Sequence, residues 1–88
     1  MSRRLIFKSS VSKKYFNKCR KKGGKTYQKI IELIQDIDRS PFDGLGKPEP
    51  LQHQFTGSWS RRINKKDRLI YQVTDQEIVI LSCKGHYQ

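Results

Sequence analysis

The apolar residues form three patterns along the chain: first a short continuous run, then two stretches with helical spacing, and finally several strand-like segments. Leu5, Ile6 and Phe7 precede Ser9-Ser10, a pattern that predicts a first strand and then a helix N-cap. The helical stripe that follows ends at Gly23-Gly24 and contains Val11, Tyr15 and Cys19, with Phe16 beside them. Offsets of three, four, seven and ten predict a second helix that closes near Ser40 and contains Tyr27, Ile30, Ile31, Ile34 and Ile37.

The second half of the chain predicts a loop and a set of strands. The segment PFDGLGKPEP holds all 3 prolines of the chain, which predicts an ordered loop without a regular element. Turn-like residues separate four further strands, at 51–55, 59–63, 68–73 and 77–83, which predicts an antiparallel meander. The fold class is therefore α+β in one domain, residues 1–88: an N-terminal strand and a two-helix hairpin packed on a small twisted antiparallel sheet.

Charge points to a polyanionic partner. The 88 residues include 19 Lys plus Arg against 8 Asp plus Glu, a net charge of +11, and the basic residues from Arg3 to Lys29 all precede the first acid, Glu32. Nucleic acid is the leading candidate, and a merely solvated basic face is the alternative. No run approaches the roughly 18 apolar residues of a membrane span, and the N-terminus lacks a secretory signal pattern, so we expect a cytoplasmic protein.

The two cysteines predict no metal site and no disulfide. Cys19 and Cys83 lie far apart, and they form no metal-ligand spacing with His53 and His86. Each lies in an apolar pattern, so both are expected to be small core residues. We expect no cofactor.

A different set of residues could cleave RNA. Attack by a ribose 2′-hydroxyl needs a base, cations for the charge of the phosphorane, and an acid for the departing 5′-oxygen. Glutamate, arginine and histidine suit these roles, and the candidates are Glu49, Arg61, Arg62, Arg68 and His86, with Tyr87 beside the histidine. Their convergence in space is a hypothesis at this point.

Four segments carry a family resemblance: SPFDGLGKPEPL, GSWSRRIN, DRLIYQV and the terminal GHY. Together they closely resemble YoeB-type toxins of the RelE superfamily, over essentially the whole chain. The resemblance implies a RelE-like microbial RNase fold and a metal-independent endoribonuclease that cuts mRNA in the ribosomal A site. It also implies neutralisation by a YefM-type antitoxin, operator DNA binding only through the toxin–antitoxin complex, and homodimerisation.

The resemblance also implies residue roles. Glu49 matches the general base and Arg68 the phosphate-binding arginine, while His86 would protonate the leaving oxygen and Tyr87 would hold a nucleotide or orient the terminus. Phosphate binding along the RNA would fall to Lys47, Arg61 and Arg62. The chain departs from the family at Gln52, where many relatives have lysine, and at Gln88, which extends past the usual terminal tyrosine.

Alternatives remain at two residues and for the function. Because neighbouring residues of a strand point to opposite faces, Arg61 shares a face with Trp59 and Ile63, which favours a structural role, and Arg62 is the stronger RNA-binding candidate. For His53 a structural hydrogen bond is favoured over catalysis. The alternative function is a non-catalytic basic RNA- or DNA-binding module that acts with an antitoxin in transcriptional autoregulation.

Overall fold

A computed structural model of the chain describes residues 2–83. In chain order its elements are β1 (Arg4–Phe7), α1 (Ser10–Lys22), α2 (Lys25–Arg39), β2 (Glu49–Pro50), a 3₁₀ turn (His53–Phe55), β3 (Trp59–Arg62), β4 (Arg68–Val73) and β5 (Glu77–Ser82). The strands of this region form one sheet in the order β1-β5-β4-β3-β2. No helix within residues 2–83 is long and apolar enough to cross a membrane.

The helices begin and end where the sequence predicts. The Ser9 hydroxyl accepts the backbone N–H of Ser12 at 3.2 Å and caps α1, which supplies one of the donors that the first turn leaves unpaired. Gly23, at φ 64°, closes the same helix in the left-handed conformation that favours glycine. Ser40 ends α2 immediately before Pro41, so the predicted helix hairpin is confirmed.

The core lies between the helix hairpin and one face of the sheet, called here the helix side. Buried residues of α1 and α2 pack there against alternate residues of β4 and β5, and the fully buried members of this cluster include Ile30, Leu33, Ile37, Leu69, Tyr71 and Ile78. Cys19 and Cys83 belong to the same cluster as free thiols, which confirms their prediction as core residues. Burial raises the pKa of Cys83 to about 12. The thiol therefore stays protonated, as an apolar side chain of the core.

Two details of the sheet differ from the prediction. The first strand pairs in parallel with β5, with Leu5 opposite Ile78, so the sheet is mixed and only the meander from β2 to β5 is antiparallel. The prediction of a strand at 51–55 is wrong. The chain turns there instead, because Phe55 N–H bonds to the Gln52 carbonyl at 3.1 Å and His53 takes a positive φ of 58°.

A bulge near the end of β5 changes which side chains face the helices. Ile80 pairs with Tyr71 and Ser82 pairs with Ile70, so one extra residue, Leu81, stands in β5 between these two pairs. Such an insertion reverses the alternation of the strand. Ile80 and Cys83 consequently both lie in the helix-side core, although three positions separate them. Ser82 shares a row with Ile70 on the opposite face, called here the second face.

Candidate active site

The loop between α2 and β2 is folded around one buried side chain, that of Arg61 on β3. The residue has no solvent exposure, although arginine is almost never fully buried unless it is paired. Its guanidinium donates five hydrogen bonds: to Tyr71 Oη at 3.1 Å, Asp36 Oδ2 at 2.6 Å, and the carbonyls of Leu45 at 3.1 Å, Ser40 at 2.6 Å and Asp43 at 2.8 Å. Because arginine has five N–H donors, its hydrogen-bonding capacity is fully used.

Asp36 is the negative partner of this arginine and a second anchor for the loop. Its Oδ2 also accepts the backbone N–H of Leu45 at 2.9 Å, and its Oδ1 accepts from Arg39 at 2.8 Å. The Leu45 N–H, then Arg39 and Arg61, lower the pKa of Asp36 from 3.8 to about 2. The carboxylate is therefore ionised at neutral pH, and it balances the buried guanidinium.

Two glycines let the loop approach this ion pair. A Cβ on Gly44 would collide with the Asp36 carboxylate, and one on Gly46 would lie 2.9 Å from Leu33 Cδ2 and 3.0 Å from the Arg62 carbonyl oxygen. Both glycines also have a positive φ, 113° and 79°, which side-chain-bearing residues rarely adopt. The Arg62 N–H then binds the Gly46 carbonyl at 2.7 Å, so the loop meets β3 three residues before Glu49.

The short strand β2 places Glu49 on the second face of the sheet. Glu49 lies opposite Ser60, Ser60 opposite Ile70, and Ile70 opposite Ser82, so these four residues form one row across the sheet. Arg62 and Arg68 form the next row, directly opposite each other. With about 4.8 Å between strands and about 7 Å between successive rows on one face, the backbones of Glu49 on β2 and Arg68 on β4 are about 12 Å apart. A phosphate group between them is within reach of both side chains.

The facing arginines are an unusual pair. Like charges directly opposite each other on neighbouring strands destabilise a sheet. Within residues 2–83 the Arg62 guanidinium makes no hydrogen bond or ion pair, and Arg68 makes only long contacts from Nη1 to the carbonyls of Asn64 at 3.3 Å and Asp67 at 3.4 Å. Both guanidinium groups therefore retain donors for an anion, and bidentate binding of phosphate suits their geometry.

A groove of about 480 Å³ adjoins Glu49 and is lined by residues 49–55. The exposed side chains of Gln52 and His53 lie along it. The His53 carbonyl accepts the Thr56 hydroxyl at 2.7 Å and the Thr56 N–H at 3.0 Å. Lys47 is exposed on the loop before β2, at a φ of 53°. Within residues 2–83, no group of three or more His, Cys, Asp or Glu side chains could hold a metal ion.

Comparison with known proteins identifies the family. The family model for the YoeB-like toxin of bacterial type II toxin–antitoxin systems matches residues 4–87. The chain belongs to this YoeB-like toxin family. A Toxin YoeB of Escherichia coli (strain K12) is 55% identical over 60 residues, which are 68% of this chain and 71% of that protein. The resemblance seen in the sequence is thereby confirmed.

Solved structures agree with the family and the fold. The YoeB dimer from Staphylococcus aureus has a TM-score of 0.89 and 40% identity, covering 99% of this chain and 100% of that one. The heterotetrameric YoeB-YefM complex from the same organism contains a chain with a TM-score of 0.88 and the same identity. The α+β fold class is confirmed by these YoeB matches.

The geometry sorts the candidate residues of this YoeB-like toxin into three groups. Glu49, Arg62 and Arg68 lie on the second face, and Lys47 lies on the loop before them. Arg61 was also predicted to bind RNA phosphates, but it is buried on the helix side, and all five of its guanidinium N–H groups bind within the protein. Its predicted role is therefore corrected to a structural one. His86 and Tyr87 lie outside the described residues.

Asp36 and Tyr71 were not singled out as partners of Arg61 by the sequence. A signal for the first was present, because Asp36 stands between Leu33 and Ile37 in the buried stripe of α2. An acid on the buried face of a helix needs a cation. The sequence also indicates that cation, because Arg61 alternates with the apolar residues Trp59 and Ile63. No comparable signal marks the Tyr71 hydroxyl, which donates to the Pro41 carbonyl at 2.7 Å.

The lowered pKa of Asp36 predicts an acid-sensitive part of the free energy of unfolding. The folded pKa of about 2 lies below the ordinary 3.8, so this stabilisation is complete above about pH 4 and is lost as the pH falls towards 2. Denaturant titrations at pH 5 and pH 2 should show the wild type losing about 2 kcal/mol more than Asp36→Asn over that interval. Asp75→Asn, in the exposed β4–β5 turn, is the control and should follow the wild type. Equal losses for Asp36→Asn and the wild type would contradict the assignment.

Neighbouring arginines should respond in opposite ways to truncation. Arg61→Ala leaves Asp36 without its buried cation, and we expect a loss of about 3–5 kcal/mol in the free energy of unfolding at pH 7. Arg62→Ala removes an exposed side chain and should change that free energy by no more than about 0.5 kcal/mol. Urea unfolding followed by circular dichroism measures both. A stable Arg61→Ala protein would show that the ion pair does not anchor the loop.

Proposed function

We propose that this YoeB-like toxin is a ribosome-dependent endoribonuclease that cuts mRNA in the A site of the 30S subunit and so inhibits translation. The observation that carries the proposal is the shared face of Glu49, Arg62 and Arg68, where a carboxylate stands beside two facing cations. Such a set can remove a proton and stabilise a phosphorane on the same phosphodiester. Family membership supports the same role.

The proposed reaction is transesterification by general acid–base catalysis without a metal. Glu49 takes the 2′-hydroxyl proton, and the 2′-oxygen forms a bond to phosphorus. Arg68, with Arg62 and Lys47, holds the additional negative charge of the phosphorane. His86 then gives a proton to the 5′-oxygen as its bond to phosphorus breaks. The products are a 2′,3′-cyclic phosphate and a 5′-hydroxyl, and water is not consumed in this step.

The role of His86 rests on the family match and on chain length. The family model extends to residue 87 and therefore includes both His86 and Tyr87. Ser82 ends β5 in the same row as Glu49. Three residues lie between Ser82 and His86, and the four Cα-to-Cα steps from one to the other span at most about 14 Å in an extended chain. His86 can therefore be proposed as the acid and Tyr87 as the residue that orients the nucleotide or the terminus.

The ribosome supplies what this small domain lacks. The groove beside Glu49 is shallow and lies on the surface, so the protein has few walls with which to orient a flexible RNA strand by itself. An mRNA codon fixed in the A site is already ordered. Much of the entropic cost of aligning the RNA strand is therefore met when the mRNA binds the ribosome. The net charge of +11 favours attraction to the RNA-rich surface of the ribosome.

A YefM-type antitoxin is the proposed protein partner, because the related Staphylococcus aureus toxin forms a YoeB-YefM complex. In this chain α1 has no acid in its first turn and ends in Arg20, Lys21 and Lys22, and Val11 on the same helix is 75% exposed. A mainly acidic segment that folds on binding suits such a helix. Operator DNA would be bound only through this complex, and the related toxin dimer makes a homodimer part of the proposal.

The activity is tested with ribosomes paused on a defined mRNA with a chosen codon in the A site. New 5′ ends are mapped by primer extension in single-turnover reactions. We expect cleavage within that codon, slowed on the order of 10²–10⁴-fold by Glu49→Gln and by His86→Ala. Glu32→Gln is the matched control, because it removes the same charge from the exposed surface of α2, and it should keep the wild-type rate.

Each outcome separates the proposal from its alternative. Wild-type speed in Glu49→Gln would remove this residue from the role of base. Ribosome binding by the wild type without any new RNA ends would support a non-catalytic binding module, and Gln52 and Gln88 would then be the first positions to revert towards the family pattern.

A further inference from the structure

The backbone of the loop before Glu49 is held by side chains from the helix-side core. Arg61 and Tyr71 donate to loop carbonyls, and Asp36 accepts the one loop N–H of this set; the groups held are the carbonyls of Ser40, Pro41, Asp43 and Leu45 and the N–H of Leu45. An irregular loop has no ladder of its own to pair these groups. The three side chains replace it, and they are called here the loop anchor.

Little chain separates the loop anchor from Glu49. After Leu45, the last residue held, come only Gly46, Lys47 and Pro48. The Gly46 carbonyl is fixed to the Arg62 N–H at 2.7 Å, and the ring of Pro48 restricts its own φ. A shift of the loop at Leu45 is therefore transmitted to Glu49 with little slack.

The strand that carries Glu49 is too short to fix the position of this residue by its own pairing. It has two residues, both exposed, and it pairs on one side only, with Trp59 and Ser60 of β3. Two-residue pairing at a sheet edge frays easily, because few hydrogen bonds oppose it. After this strand the chain is held by Leu51, which is buried and whose N–H binds the Ser58 carbonyl at 2.9 Å. Before it, the position of Glu49 depends on the loop.

A packing role alone does not explain a buried ion pair at this place. Well-packed apolar residues of similar volume often stabilise a core at least as well as a buried ion pair does. Apolar side chains, however, cannot bind loop carbonyls. Three of the five guanidinium hydrogen bonds of Arg61 end on loop carbonyls, and the Tyr71 hydroxyl binds a fourth. No buried side-chain polar atom in the described part of the chain lacks a partner. What the loop anchor adds is a defined path for the loop.

We propose that Arg61, Asp36 and Tyr71 are positioning residues for Glu49: they fix the loop from the helix side so that the carboxylate stands in the row beside Arg62 and Arg68. This inference rests on the proposed role of Glu49 as the general base. Arg61 acts from one face of β3 while its neighbour Arg62 binds phosphate on the other, so the loop anchor has no contact with RNA.

The most selective variant is Tyr71→Phe. It keeps the ring in the core and deletes one hydroxyl, which accepts from Arg61 Nε at 3.1 Å and donates to the Pro41 carbonyl at 2.7 Å. Tyr71→Phe is made in two backgrounds, one with Glu49 and one with Glu49→Gln. Single-turnover cleavage of each protein is measured at saturating concentrations of the ribosome complex. We expect Tyr71→Phe to slow cleavage by about 10-fold to 10²-fold when Glu49 is present, with unchanged ribosome affinity, and to cause no further slowing in Glu49→Gln.

The control is Ile78→Val, a substitution in the buried part of β5. The apolar side chain of Ile78 has no group that could form a hydrogen bond with the loop anchor. Ile78→Val should be compared with Tyr71→Phe at a temperature where both proteins are fully folded, and its cleavage rate should equal the wild-type rate. Equal slowing by Ile78→Val would attribute the effect of Tyr71→Phe to general destabilisation and overturn the inference.

Amide hydrogen exchange gives a readout that does not depend on activity. The Leu45 N–H, bonded to Asp36, and the Arg62 N–H, bonded to Gly46, should exchange faster in Tyr71→Phe and at the wild-type rate in Ile78→Val. Unchanged exchange, unchanged cleavage, or equal slowing with and without Glu49 would each overturn the inference. If the wild type makes no cut, the proposed function fails, and faster exchange would then leave the loop anchor with a structural role alone.

Discussion

The ion pair between Arg61 and Asp36 is the contact on which the arrangement of the site depends. It joins the buried face of α2 to β3 at 2.6 Å, and the same two side chains hold the loop that connects α2 to β2. A lone guanidinium could not remain there, since burial of an unpaired charge is strongly unfavourable. Complete pairing therefore makes the loop, the helix and the strand one unit, and the glycines at 44 and 46 provide the close approach that this unit requires.

The alternation of the sheet separates stability from chemistry. On β3, Arg61 faces the helices and Arg62 faces the proposed substrate, although they are adjacent in sequence. The bulge in β5 makes a similar division near the end of the described chain, with Cys83 in the core and Ser82 in the row of Glu49. The facing pair Arg62 and Arg68 costs stability in the free protein, a cost that a bound phosphate would offset. This unfavourable pair thus lies on the face proposed to bind RNA.

Local pattern predicted much of this fold. Helical spacing and the caps at Ser9 and Gly23 located both helices, and strand pattern with turn residues located β3, β4 and β5. The parallel pairing of β1 was not predictable in this way, because a short strand does not encode its partner. The turn at 52–56 depends on a positive φ at His53, which its side chain does not signal. Likewise, alternation favoured a structural Arg61, but only the folded chain shows that its bonds end on the loop that carries Glu49.

The central claim is that Glu49, held by this loop, removes the proton of a ribose 2′-hydroxyl as the first event of RNA cleavage. That chemistry leaves a distinctive end group. The most direct measurement is mass spectrometry of the 3′ end of the upstream fragment released from ribosome-bound mRNA within a single turnover. The account predicts a 2′,3′-cyclic phosphate, with a 5′-hydroxyl on the downstream fragment. A 3′-hydroxyl paired with a 5′-phosphate would show that water or another nucleophile attacks instead, and would contradict it.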